Sequence, residues 1–158
     1  MALSLKPDLY EAHNNLGFVY EKLGQLNEAI KEYRMALSLK PDLYEAHNNI
    51  GIVYAKQGKF DDAIKEFKLA LSLKPDYADA HSNLGLVYIK QSKLDKAIDK
   101  FLIALKLNPD DAVAHYNLGW TYNIKGLRER AIEELEIALR LKPDYLLARE
   151  ALESLRRK

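Results

Sequence analysis

A fixed period of 34 residues governs this chain. Pro-Asp recurs at Pro7, Pro41, Pro75, Pro109 and Pro143, each 34 residues from the last. The same step carries Gly17, Gly51, Gly85 and Gly119, then Tyr20, Tyr54, Tyr88 and Tyr122. It also carries Ala29, Ala63, Ala97 and Ala131, and Ala36, Ala70, Ala104 and Ala138. Periods of about 20–50 residues mark units that bury their apolar faces only by stacking on their neighbours. Four complete units follow, 10–43, 44–77, 78–111 and 112–145. Residues 1–15 are identical to 35–49, so residues 1–9 read as the tail of a truncated preceding helix. Such a beginning suits an excised or engineered piece of a longer array. Residues 146–158 read as a C-terminal capping helix, with Ala148 and Leu152 in register and Arg156, Arg157 and Lys158 at its negative dipole end.

Within a unit the apolar spacing predicts two helices. Ala12, Leu16 and Tyr20 share a face of the first, over roughly Tyr10 to Leu23. Ala29, Ile30, Tyr33, Ala36 and Leu37 share a face of the second, from about Asn27 to Lys40. Pro41 stops it, and Asp42 stands where an N-cap belongs, three residues before Glu45, as Asp8 stands before Glu11. Glycine inside a helix costs about 1 kcal/mol relative to alanine. Four in register therefore imply close approach of the paired helix, with Ala29 and Ala36 as the matching small residues. The fold expected is all-α, a stack of antiparallel helical hairpins.

The run His13-x-x-Leu16-Gly17-x-x-Tyr20, then Ala29-x-x-x-Tyr33, Ala36 and Pro41, resembles the tetratricopeptide repeat, with His where that family commonly has Trp or Tyr. The match recurs in all four units. The stretch Glu11-Ala12-His13-Asn14-Asn15-Leu16-Gly17 is similar to the asparagine-lined repeats of O-GlcNAc transferase-type arrays, and to bacterial arrays. The resemblance implies a right-handed α–α superhelix, first helices on the concave side, and a non-catalytic protein-interaction role. The family's carboxylate clamp for chaperone tails is not reproduced. Its positions hold Asn14, Phe18, Asp79 and Asn83, and only Asn49 survives.

On that expectation, Ala12, Leu16, Val19 and Tyr20 point to the packing face, while Glu11, Asn14, Asn15, Phe18, Glu21 and Lys22 fall on the arc toward the groove. An asparagine ladder, Asn15, Asn49, Asn83 and Asn117, runs along that arc with Asn14 and Asn48 beside it. A side-chain amide can pair with both N–H and C=O of a passing backbone, so the ladder suits an extended peptide; alternatively it fixes each helix pair. Three residues on come Phe18, Ile52, Leu86 and Trp120, with Tyr116 nearby. These are peptide anchors, or they pack between helices and under the C-terminal cap. Lys22, Lys56 and Lys90 recur at one position, to meet an acidic ligand or simply to solvate a helix end.

The remaining evidence is exclusion. With 24 basic residues against 23 acidic, the one-sided charge of a nucleic-acid or membrane-surface binder is missing. No cysteine is present, which removes disulfides, thiolate metal sites and cysteine nucleophiles. No apolar run approaches the ~18 residues of a membrane span, so a cytoplasmic chain is the default expectation. His13, His47, His81 and His115 share one repeat position. Helices about 8–10 Å apart hold such residues too far from one another to share a metal. No catalytic residue, metal or cofactor is expected. Met35, Leu69, Ile103 and Ile137, widened by Leu102, add an apolar stripe to the second helices. It either deepens packing between repeats or serves self-association, as does the uncapped N-terminal face. The leading expectation is a scaffold that binds a protein or peptide segment. Its alternatives are a self-assembling module, or the specificity domain of a larger enzyme.

Overall fold

The computed structural model describes residues 8–157, which form nine α-helices and no strand. All but Asp8 and Leu9 of the 1–9 tail, together with Lys158, lie outside the described residues. The chain divides into two compact units between Asp76 and Tyr77. In the first, α1 (Asp8–Lys22) pairs with α2 (Leu26–Leu39), and α3 (Tyr44–Lys56) with α4 (Phe60–Leu73). There α3 stacks on both α2 and α1. In the second, α5 (Ala78–Lys90) pairs with α6 (Leu94–Leu107) and α7 (Ala112–Ile124) with α8 (Arg128–Leu141), while α9 (Leu146–Arg156) lies on α8.

One backbone device closes every hairpin. The amide of Gln25 donates to the Tyr20 carbonyl at 2.9 Å and that of Gly24 to Glu21 at 3.1 Å, a Schellman ending that needs a left-handed residue. Gly24, Gly58 and Gly126 supply it with φ between 74° and 79°. The third hairpin makes the same pair of bonds, Lys93 to Tyr88 and Ser92 to Ile89, but with Ser92 at φ 58°.

The helix-interior glycines answer to a ring rather than to small residues. A Cβ on Gly17 would lie 2.7 Å from the Tyr33 ring, one on Gly51 2.7 Å from Phe67, and one on Gly85 2.9 Å from Phe101. The expected alanine partners are buried, but the space at glycine is taken by the large residue between them. At Gly119 the Cβ position also meets backbone, 3.1 Å from the Ala131 carbonyl and 3.0 Å from Leu135. Tyr33, Phe67, Phe101 and Leu135 are all fully buried, each worth roughly 1.5–3 kcal/mol of apolar transfer.

The capping expectation fails in register. The N-cap of α3 is Leu43, not Asp42, and it makes no side-chain cap bond. The aspartate after proline sits one residue too early to reach the orphan amides. Among the described first-helix starts only Asp111, at the position Leu43 and Tyr145 occupy elsewhere, caps with its side chain, accepting from the amides of Val113 and Ala114 at 2.9 and 3.0 Å. At the other end α9 buries Ala148, Leu152 and Leu155 and exposes Arg149, Glu150, Glu153 and Arg156.

Candidate peptide-binding face

In the first unit the outward residues of α1 and α3 are partly engaged with each other. Nδ2 of Asn49 donates to Oδ1 of Asn14 at 3.3 Å, linking successive first helices. Asn15 is exposed, whereas Asn48 turns inward and is only 3% exposed. Phe18 is exposed with the Lys22 ammonium 4.8 Å over its ring, and Ile52 is half-buried.

Glu21 departs from its expected place. Instead of facing solvent it is 7% exposed, accepting a bond from Lys56 Nζ at 2.7 Å and one from the Tyr33 hydroxyl at 3.1 Å. Burial first, and the Glu21 charge and hydrogen bond after it, push the Tyr33 phenol well above its ordinary value. Lys56 is therefore paired with the buried Glu21 while itself still exposed, as Lys22 and Lys90 are. The helical wheel misses this cluster, but the repeat carries its signal. The Glu21 position is Ala55, Ile89 and Asn123 elsewhere, and the Tyr33 hydroxyl has no counterpart at Phe67, Phe101 or Leu135.

The packing face of α1 also differs from expectation. Ala12, Leu16 and Val19 are exposed, with Leu9 and Leu23, although their equivalents Leu43, Ala46, Ile50 and Val53 are buried on α3. Nothing among the described residues stacks on α1 as α1 and α2 stack on α3.

In the second unit, Leu86 and Trp120 are exposed, the indole at 42%. Asn83 and Asn117 are half-buried beside them. Tyr116 leans on Tyr145, ring centroids 5.1 Å apart at 49°, and desolvation with the nearby Glu150 charge raises its pKa. That contact holds the start of α9 against α7 and leaves the indole open. The Lys90 ammonium extends from the end of α5.

The histidines serve the hairpins. Nδ1 of His13, His47 and His115 lies 2.7, 2.8 and 2.6 Å from Glu32, Glu66 and Glu134 on the paired helix. Among the described residues no cluster of His, Asp and Glu is arranged to hold a metal. No helix among them is long and apolar enough to cross a membrane.

Models of the TPR repeat match residues 22–58 and 53–92, and models of the tetratricopeptide repeat match 78–111, 1–31 and 100–133. No curated protein sequence matches significantly. The crystal structure of MamA is similar over 89% of this chain and 82% of that one, at 28% identity and TM-score 0.79. The APC/C hetero-tetramer Cut9–Hcn1 matches 92% of this chain and 30% of that one, at 25% identity and TM-score 0.84. Pseudomonas aeruginosa PilF matches 94% of this chain and 68% of that one, at 24% identity and TM-score 0.89.

Proposed function

The chain belongs to the tetratricopeptide repeat proteins, an all-α solenoid family of protein-interaction scaffolds, and from that premise we propose that it binds an extended peptide or protein segment on its first-helix faces, without catalysis. The observation that carries the proposal is the exposed Trp120 with Leu86 and the amides of Asn83 and Asn117 alongside. An apolar anchor beside backbone-pairing amides is a peptide-recognition chemistry, and Trp is the residue most enriched in binding hot spots. Phe18 and Asn15 repeat the arrangement on the first unit. A protein partner also accords with the likeness to a repeat chain crystallised as a Cut9–Hcn1 hetero-tetramer. Trp120 is the sole tryptophan, so its emission reports on this face. Display-selected peptides should shift that emission and lose about tenfold in affinity to Trp120→Ala. They should also weaken when Asn83→Ala and Asn117→Ala are combined. Unchanged affinity in both variants would remove the proposal.

A second reading, self-assembly, is favoured by the exposed apolar face of α1. Leu16 is 40% and Val19 50% exposed, where the equivalent Ile50 and Val53 are at most 1% exposed. A monomeric molar mass at every concentration in light scattering excludes it.

A further inference from the structure

A recess in the first unit lies apart from the asparagine ladder and is lined by second-helix residues. It is open, holds about 440 Å³, and is bounded by Asn27, Ile30, Lys31, Arg34 and Met35 of α2 with Tyr54 and Lys59. That volume falls within the ~300–1,000 Å³ usual for ligand pockets. Ile30, Met35 and the Tyr54 ring give it apolar walls, and no acidic residue lines it. Among the described residues its three cations have no carboxylate partner. Arg34 donates to the Tyr54 hydroxyl at 3.0 Å, the Lys59 ammonium stands 5.8 Å over the Tyr54 ring, and Lys31 makes no ion pair with any described residue.

The repeat supplies an internal control. The Lys31 position keeps a cation in the second repeat, Lys65, and holds Asp99 and Glu133 in the third and fourth; the Arg34 position likewise holds Lys68, then Leu102 and Glu136. The Lys59 position holds Gln25, Lys93 and Leu127. The same hairpin therefore folds with acids or leucine at these places, and its stability does not require the cations. Assembling three of them around the Tyr54 phenol, across the first and second repeats, costs mutual repulsion and brings no carboxylate partner among the described residues.

We propose that this recess is a second docking site, which takes an acidic segment of a partner protein by seating an apolar side chain against Ile30, Met35 and Tyr54 while flanking carboxylates meet Lys31, Arg34 and Lys59. The near-zero net charge of the chain weakens a general attraction to polyanions, so recognition is local. A concave apolar wall selects a side chain rather than a bilayer surface. The guanidinium of Arg34 supplies paired donors for a carboxylate, which a lysine cannot.

The test is peptide display on the purified chain, counter-selected against Lys31→Glu/Arg34→Glu, a variant that writes the Glu133 and Glu136 pair into the first repeat. Recovered peptides should be acidic with an interposed apolar residue. In fluorescence anisotropy they should lose about tenfold in affinity to that variant and to Lys59→Glu. They should weaken equally when their acids become amides. Lys106→Glu/Arg140→Glu reverses as many charges at exposed positions outside the recess and should change affinity less than about twofold. Circular dichroism checks that each variant stays folded. The proposal is overturned if no recess-dependent peptide is recovered or if the control variant weakens binding as much. It is also overturned if the recess variants abolish sedimentation with phosphatidylserine vesicles but bind the peptides normally. Dissociation of a wild-type oligomer by Lys31→Glu/Arg34→Glu would assign the site to a second copy of the chain and overturn it likewise.

Discussion

Ser92 occupies a backbone conformation that costs most L-residues about 1 kcal/mol or more, and the other three hairpins give the place to glycine. Ser92→Gly should therefore raise the stability of the second unit by roughly 0.5–1 kcal/mol, visible as a higher denaturant midpoint at unchanged slope. Tyr33 makes a second residue-scale prediction. Its folded-state pKa is raised above the ordinary 10, so the folded chain holds the phenolic proton more tightly than the unfolded one. That contribution is complete below pH ~10 and is lost as pH climbs past the unfolded value toward the folded one. Tyr33→Phe should cost about 1 kcal/mol at neutral pH through the lost bond to Glu21, and then show a shallower alkaline decline. Parallel decline of the two proteins in alkaline urea titrations would contradict this. Nothing in a helical wheel discloses the cluster. Position 21 lies on the outward arc by angle, yet Lys56 from the next repeat closes over Glu21 and takes it out of water. Wheels describe one helix, and this burial needs three.

At the scale of elements, the glycines show how far sequence goes. Their register states that a neighbour comes close, and the helices do pair there. Which neighbour is a matter of rotamer and packing. The ring at Tyr33, Phe67 and Phe101 fills the notch, because a large side chain gains more from the hole than alanine does. Gly51→Ala should then destabilise the first unit by about 1–3 kcal/mol, since its Cβ would overlap Phe67 and overpacked cores relax poorly. Combining it with Phe67→Leu, the pairing type of Gly119 and Leu135, should cost less than the sum of the two single changes. Strict additivity in chemical denaturation would mean that glycine is kept there for another reason. Helix starts are less legible. Pro-Asp announces each one, but the cap is the following residue, so a one-residue slip exchanges a capping aspartate for Leu43. A helical apolar stripe tolerates such a slip in its starting residue, whereas a hydrogen bond between Asp111 and two amides does not.

For the whole molecule, the period makes the all-α class and the family legible almost without the structure, and leaves surface use open. Periodic positions are the ones packing demands. The proposed sites draw instead on departures from period, such as Trp120 where other repeats have Phe18, Ile52 and Leu86, or Arg34 where a later one has Glu136. The exposed face of α1 is a different case, a periodic position left uncovered among the described residues. With a net charge of only +1, little repulsion opposes association through it. If that face joins two molecules, the mass in light scattering should rise with concentration and respond to salts by type. Sulfate should strengthen the association, as it strengthens apolar burial, and moderate sodium chloride should leave it nearly unchanged. Leu16→Lys combined with Val19→Glu keeps the net charge and should leave the chain monomeric, because each residue is already half open to water. Loss of association in sodium chloride alone would instead point to charge pairing and remove the apolar face from consideration.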